Sequence, residues 1–124
     1  MIHLDTHIVT ALHDGAPRST RNPARRLIGS QPVYISPFVV FELELIKHKS
    51  LIVNVSDAIG VLQSTLDLRI ADTSLFRIVE AARDIAWTRE RMDRLIVAHA
   101  IADGARLLTR DARIRANFDG ALWD

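Results

Sequence analysis

Apolar residues along the chain fall into short blocks whose period alternates between that of a strand and that of a helix. The opening block, MIHLDTHIV, predicts a buried strand over 2–5, and THIVTALH then places Ile8, Val9 and Leu12 on one side of a helix over 6–13. GAPRSTRNP is a turn-rich loop, and a short helix is expected over 24–29. VYIS, 33–36, is a β-branched and aromatic strand. Pro37 suits the first position of a helix, and FVVFELELIKHK extends it for about three turns. Ser56 is the expected N-cap of a helix over 57–66, LRIA at 68–71 a strand, and Thr73 or Ser74 the cap of a helix reaching about Arg83. Residues 84–91 are polar and loop-like. A helix over 92–103 ends at Asp103-Gly104. RLLT, 106–109, forms another buried strand, a helix covers about 111–117, and ALW closes the chain. In all, the pattern predicts about five strands and six or seven helices.

Such alternation argues for an α/β fold around a parallel sheet. The 124 residues suit a single domain spanning 1–124, large enough to bury a core without staples. Cysteine is absent, which removes disulfides, thiolate metal sites and cysteine nucleophiles. No apolar run approaches a membrane span and no signal peptide is evident, so a cytoplasmic location is expected. The net charge of +1 gives no general nucleic-acid signal. Local charge is more telling: RSTRNPARR carries Arg18, Arg21, Arg25 and Arg26, and Arg91, Arg94 and Arg110 stand beside acids. A solvated loop and helix face accounts for this run slightly better than phosphate contact does.

Most of the 15 acidic residues need no special account. Asp57 and Asp72 sit at expected caps or loops, Asp103 precedes a helix-ending glycine, and Glu80 and Asp84 suit a solvated helix face. Four others are awkward. Asp5 and Asp111 each follow the carboxyl end of a strand, where open parallel sheets bind ligands, although each also suits the cap of the next helix. Asp93 opens the apolar helix MDRLIVAHAIAD, where the helix dipole favours a carboxylate by ~0.3–1 kcal/mol. Glu42 is separated from Glu44 by helical geometry. Its neighbours three and four away, Phe38, Val39, Leu45 and Ile46, are all apolar, whereas Glu44 has Lys47 and His48 within reach. If the four acids converge, two charges ~5 Å apart repel by roughly 3 kcal/mol at an effective dielectric of ~20. A bound divalent cation relieves that repulsion, and oxygen-only ligation suits Mg²⁺ or Mn²⁺ rather than Zn²⁺.

LDTH, SPFVVFELELIKHKSL, MDRLIVAHAIADG and LLTRDARI, in this order and spacing, resemble the PIN-domain ribonucleases, in particular VapC-type toxins of toxin–antitoxin pairs. The resemblance covers essentially the whole chain. It implies a three-layer α/β/α sandwich around a parallel sheet, with strands 1 and 4 side by side at the centre. It further implies an acidic cluster of Asp5, Glu42, Asp93 and Asp111, with Asp5, Asp93 and Asp111 as metal ligands. Thr6 and Thr109 would support these from behind. The activity implied is Mg²⁺- or Mn²⁺-dependent hydrolysis of RNA by a homodimer held by a small antitoxin protein. The family often carries Asp-Pro-Phe-Asp before the buried helix. Here Glu90-Arg91-Met92-Asp93 retains an acid but loses the proline.

Three other readings compete with this one. A zinc site on His3, Asp5 and His7 would need a long strand where Thr6 onward reads as helix, so both histidines are assigned to packing or surface, and His7 to packing at the start of the first helix. A haloacid dehalogenase-type phosphatase needs a second acid two residues after Asp5, and that residue is His7. A catalytically silent PIN-fold module binding RNA or protein remains the alternative from another class, and the presence of all four acids argues against it.

Overall fold

Five short strands, β1 (Ile2–Leu4), β2 (Val33–Ile35), β3 (Leu68–Ile70), β4 (Arg106–Leu108) and β5 (Ala121–Leu122), form one sheet in the order β3-β2-β1-β4-β5. Every pairing is parallel. The computed structural model describes residues 1–15 and 23–123. Parallel neighbours need crossover connections. These are supplied by α1 (Thr6–His13), α2 (Pro23–Ser30), α3 (Pro37–Ile46), α4 (Val55–Leu66), α5 (Leu75–Ala82), α6 (Arg91–Ala102) and α7 (Ala112–Asn117), with a 3₁₀ turn over Lys47–Lys49. Helices cover both faces of the sheet in a three-layer α/β/α sandwich. All three residues of β1 are buried, as a central strand of such a sheet requires.

The order of the strands positions the site. From β1 the chain steps outward to β2 and β3, then crosses back to lay β4 against the other side of β1. The direction of winding reverses between β1 and β4, and the ligand crevice of such sheets opens beyond the carboxyl ends of those two strands. Leu4 pairs with Leu108, and the Asp5 N–H extends the ladder to the Leu108 carbonyl at 2.9 Å. The residues emerging side by side there are Asp5 and Thr109.

Several expected boundaries move by a residue because a polar side chain leaves the strand to cap a helix. Asp5 and Ser36 are not strand residues but N-caps of α1 and α3, and Pro37 takes its expected place at the start of α3. Asn54, not Ser56, caps α4: its side chain accepts from the Asp57 N–H, so the helix starts earlier than predicted. Of the two candidates for α5, Ser74 is the cap, accepting from the Arg77 N–H. Thr73 instead donates its hydroxyl to Asp103. The second, third and fourth strands each end one residue sooner than expected, at Ile35, Ile70 and Leu108.

Candidate active site

Asp5 is almost fully buried at the end of β1. One carboxylate oxygen, Oδ1, accepts from the Thr6 N–H at 2.8 Å, so the residue does cap α1. The other, Oδ2, accepts from the Thr109 hydroxyl at 2.6 Å. Thr109, itself buried, also accepts from the Asp111 N–H at 3.1 Å, and one hydroxyl therefore ties the ends of β1 and β4 to the start of α7. Asp111 caps that helix through the Ile114 N–H at 2.9 Å. Thr6, buried in the first turn of α1, points its hydroxyl at Glu42 on α3. Thr6 and Thr109 thus each brace one carboxylate.

Glu42 is half-buried, whereas Glu44 is exposed and loosely paired with Lys47 at 3.8 Å. Asp93 is half-buried in the first turn of α6 but does not cap it. Glu90 is the cap, taking the N–H groups of Met92 and Asp93 at 3.2 and 2.6 Å. The Asp93 carboxylate is therefore not the one used to cap α6. Glu90 stands where the sequence departs from Asp-Pro-Phe-Asp, and it takes the capping position that the Asp93 side chain leaves.

Electrostatics links these acids. Burial pushes the Asp93 carboxyl up to about 7, and repulsion from Glu90, Asp5, Asp111 and Glu42 adds to it. Burial likewise raises Asp5, against the opposing hydrogen bonds from Thr109 and Thr6 and the nearby His7, with Asp111 raising it further. Glu42 is raised by burial too, offset by the Thr6 hydroxyl, while Asp5 and Glu90 push it up. Four carboxylates from four elements thus lie within one another's field with no lysine or arginine among the groups that act on them most.

All four side chains offer oxygens, and among the described residues no lysine or arginine is among the groups that act on them most, which suits a hard divalent cation. Among the described residues no three His, Cys, Asp or Glu side chains stand ready as a metal cage. Mg²⁺ does not require one, because it keeps several waters and is commonly held through one or two carboxylates.

Basic groups divide by position. Arg110 is exposed beside Asp111, its guanidinium 5.3 Å from the centre of the Trp123 ring. Arg110, Asp111, His7 and Thr10 line an open cleft of about 430 Å³. The expectation that His7 packs at the start of α1 is overturned: it is exposed on the cleft wall. Its position was available from the sequence, since Ile8, Val9 and Leu12 define the inner face of α1 and residue 7 lies off it. Arg91 is exposed at the start of α6, and Arg26 is exposed on α2. Arg25 is half-buried beside Ile8, Ala11, Leu12, Ile28 and Trp123. Arg94 donates from Nε to the Ala82 carbonyl at 3.1 Å, fastening α6 to α5. Arg18 and Arg21 lie outside the described residues. His3 is fully buried and donates to Asp103 at 2.7 Å, so it is turned to another partner and the strand-like alternation of His3, Asp5 and His7 does not form a zinc site.

A family model described as PIN domain matches residues 2–117. Among solved structures, the crystal structure of VapBC2 from Rickettsia felis, bound to a DNA fragment from their promoter, is similar over 100% of both chains, with a TM-score of 0.70 and 26% sequence identity. No curated protein matches the chain.

Proposed function

The chain belongs to the PIN domain family, and from that premise we propose that it is a metal-dependent endoribonuclease, the VapC-type toxin of a type II toxin–antitoxin pair. The observation that carries this reading is the convergence of Asp5, Glu42, Asp93 and Asp111 beyond β1 and β4, with Asp93 pushed up to about 7 by burial and by the other acids. A purely structural site would pair such charges with cations or leave them in water. Likeness to VapBC2 supports the toxin assignment and, with it, a small antitoxin partner; a homodimer acting in the cytoplasm completes the proposal.

In this reading Asp5, Asp93 and Asp111 hold Mg²⁺ or Mn²⁺. Such an ion, when bound, lowers the pKa of water and neutralises charge on a phosphodiester. The protein groups have separable tasks. Thr109 fixes the rotamer of Asp5, and Thr6 fixes that of Glu42. Glu42 accepts a proton from the attacking water. Its raised pKa makes it a better base than an exposed glutamate. His7 and Arg110 contact phosphates of RNA lying in the cleft beside Asp111, and Arg91, with Arg25 and Arg26 further off, extends the path. Arg110 is held by its stacking on Trp123, which lowers the entropy lost on contact.

The test is cleavage of a quenched fluorescent RNA by the purified chain with Mn²⁺, alongside Asp5→Asn and Asp93→Asn. Cleavage that needs the metal and falls to background in both folded variants supports the reading. Mn²⁺-independent cleavage, or variants as active as the parent, overturns the site. RNA binding without cleavage by the parent points to the silent binding module instead.

A further inference from the structure

A second buried polar cluster lies at the far end of α6 from Asp93, and nothing in the proposed chemistry uses it. Asp103, the C-cap of α6, accepts on Oδ2 from His3 Nε2 of β1 at 2.7 Å and on Oδ1 from the Thr73 hydroxyl. His99, fully buried one helical turn earlier, has Nε2 3.7 Å from the same Oδ2, and its Nδ1 is 2.7 Å from the Ser36 hydroxyl. Ser36 is the buried N-cap of α3 and accepts from the Phe38 N–H at 3.1 Å. The His3 and His99 rings meet edge to face at 5.1 Å.

The proton positions follow from the partners. If His99 carried its proton on Nδ1, its Nε2 lone pair would face the Asp103 carboxylate and the Ser36 hydroxyl hydrogen would lose its acceptor. With the proton on Nε2, the N–H faces the Asp103 carboxylate at 3.7 Å, a favourable charge contact though not a hydrogen bond, while Nδ1 accepts from Ser36 and Ser36 still accepts from Phe38. The second arrangement satisfies more groups in a place where unsatisfied ones are costly.

The membership of this chain of bonds is what matters. His3 is on β1, which ends at Asp5. Ser36 caps α3, which carries Glu42. His99 and Asp103 are on α6, which begins beside Asp93. Building on the nuclease reading above, we propose that His99 and Asp103, with His3 and Ser36, form a buried bracket that fixes β1, α3 and α6 relative to one another. They are positioning residues for Asp5, Glu42 and Asp93. Carboxylates on three separate elements need such a brace, because a site that must hold a cation tolerates little drift among its ligands.

The experiment uses the whole chain, with Mn²⁺ as the probe, and compares the parent with His99→Leu, which keeps bulk without polarity, and His99→Asn, whose side-chain oxygen can still accept from Ser36. In the metal-free parent, nitrogen–proton correlation of the imidazoles is expected to find His99 protonated on Nε2. His99→Leu is expected to shift the backbone amide resonances of Glu42 and Asp93 and to weaken Mn²⁺ binding by about 10- to 100-fold, the usual cost of losing a residue behind a metal ligand. His99→Asn is expected to restore binding close to the parent's. If the leucine variant does not fold, Ser36→Ala breaks the same link from its other end. Amide shifts confined to the neighbours of residue 99, Mn²⁺ bound as tightly by His99→Leu as by the parent, or equal losses in the Leu and Asn variants would each overturn the bracket. A parent that binds no Mn²⁺ refutes the metal reading instead, and the metal-free amide shifts still decide the bracket.

Discussion

Helix α6 joins two polar clusters, each with an aspartate of that helix in it, left in opposite electrostatic conditions. At its start Asp93 faces Asp5, Glu42 and Asp111, and its carboxyl is pushed up to about 7. At its end Asp103 is also shielded from water, and burial alone would raise it. Hydrogen bonds from Thr73 and His3, with the nearby imidazoles, outweigh that and hold it below the ordinary aspartate range. Ten residues separate the two, roughly 15 Å along a helix. The difference lies in the donors. Asp103 has a donor on each oxygen, whereas among the described residues the charges that act most on Asp93 are all acids. In one cluster the carboxylate is satisfied from within, although His3 Nδ1 and His99 Nε2 stay without hydrogen-bond partners, and the other is complete only with something from outside.

The contrast can be broken in order of effect. The largest change is expected from Asp5→Asn, which removes a charge but keeps the volume and one of the two accepted hydrogen bonds. RNA cleavage should fall to background while circular dichroism stays that of the parent, and retained cleavage would mean that the satisfied and unsatisfied clusters have been misassigned. Next is Asp103→Ala. It leaves His3 and Thr73 without their acceptor, and urea unfolding should report a loss of ~1–3 kcal/mol. An unchanged midpoint would show that the second cluster contributes nothing to stability.

A smaller effect tests the frustration of Asp93 directly. Its folded value of about 7 lies above the ordinary 3.8. Between these values the folded chain holds a proton that the unfolded chain has released. The contribution of Asp93 to stability is therefore largest below about pH 4 and is lost as pH rises toward 7. In metal-free buffer the melting temperature of the parent should drop relative to Asp93→Asn over that range, and Mn²⁺ should reduce the difference. Parallel pH profiles would count against it. The smallest effect is expected from Glu44→Gln, which removes an exposed acid paired loosely with Lys47. Stability should stay within about 0.5 kcal/mol and cleavage should not change. A loss of activity there would undo the distinction between the two faces of α3.

The sequence carried the alternation of strands and helices because each buried strand is a short apolar block between polar punctuation. It separated Glu42 from Glu44 because helical spacing alone assigns their neighbours. The capping residues of α4 and α6 were harder to read. Asn54 and Ser56 are both good caps, and only backbone geometry chooses between them. At α6 a glutamate takes the role, outside the usual set of short polar caps. Asp103 read as an ordinary helix-ending residue because its partner His3 lies 100 residues away in the chain. A local hint was present, since His99 and Asp103 are four apart and share a helix face. His7 was misread for a simpler reason, because the helix register already placed it outside.

The pairing of Leu4 with Leu108 has a consequence in time as well as space. The strand that bears Asp5 leaves the ribosome well before its neighbour β4. The hydroxyl that holds Asp5 arrives 104 residues later. Contacts of such long range close late in folding. During synthesis the acids therefore stay apart until β4 has emerged, and only then can the groove come into being.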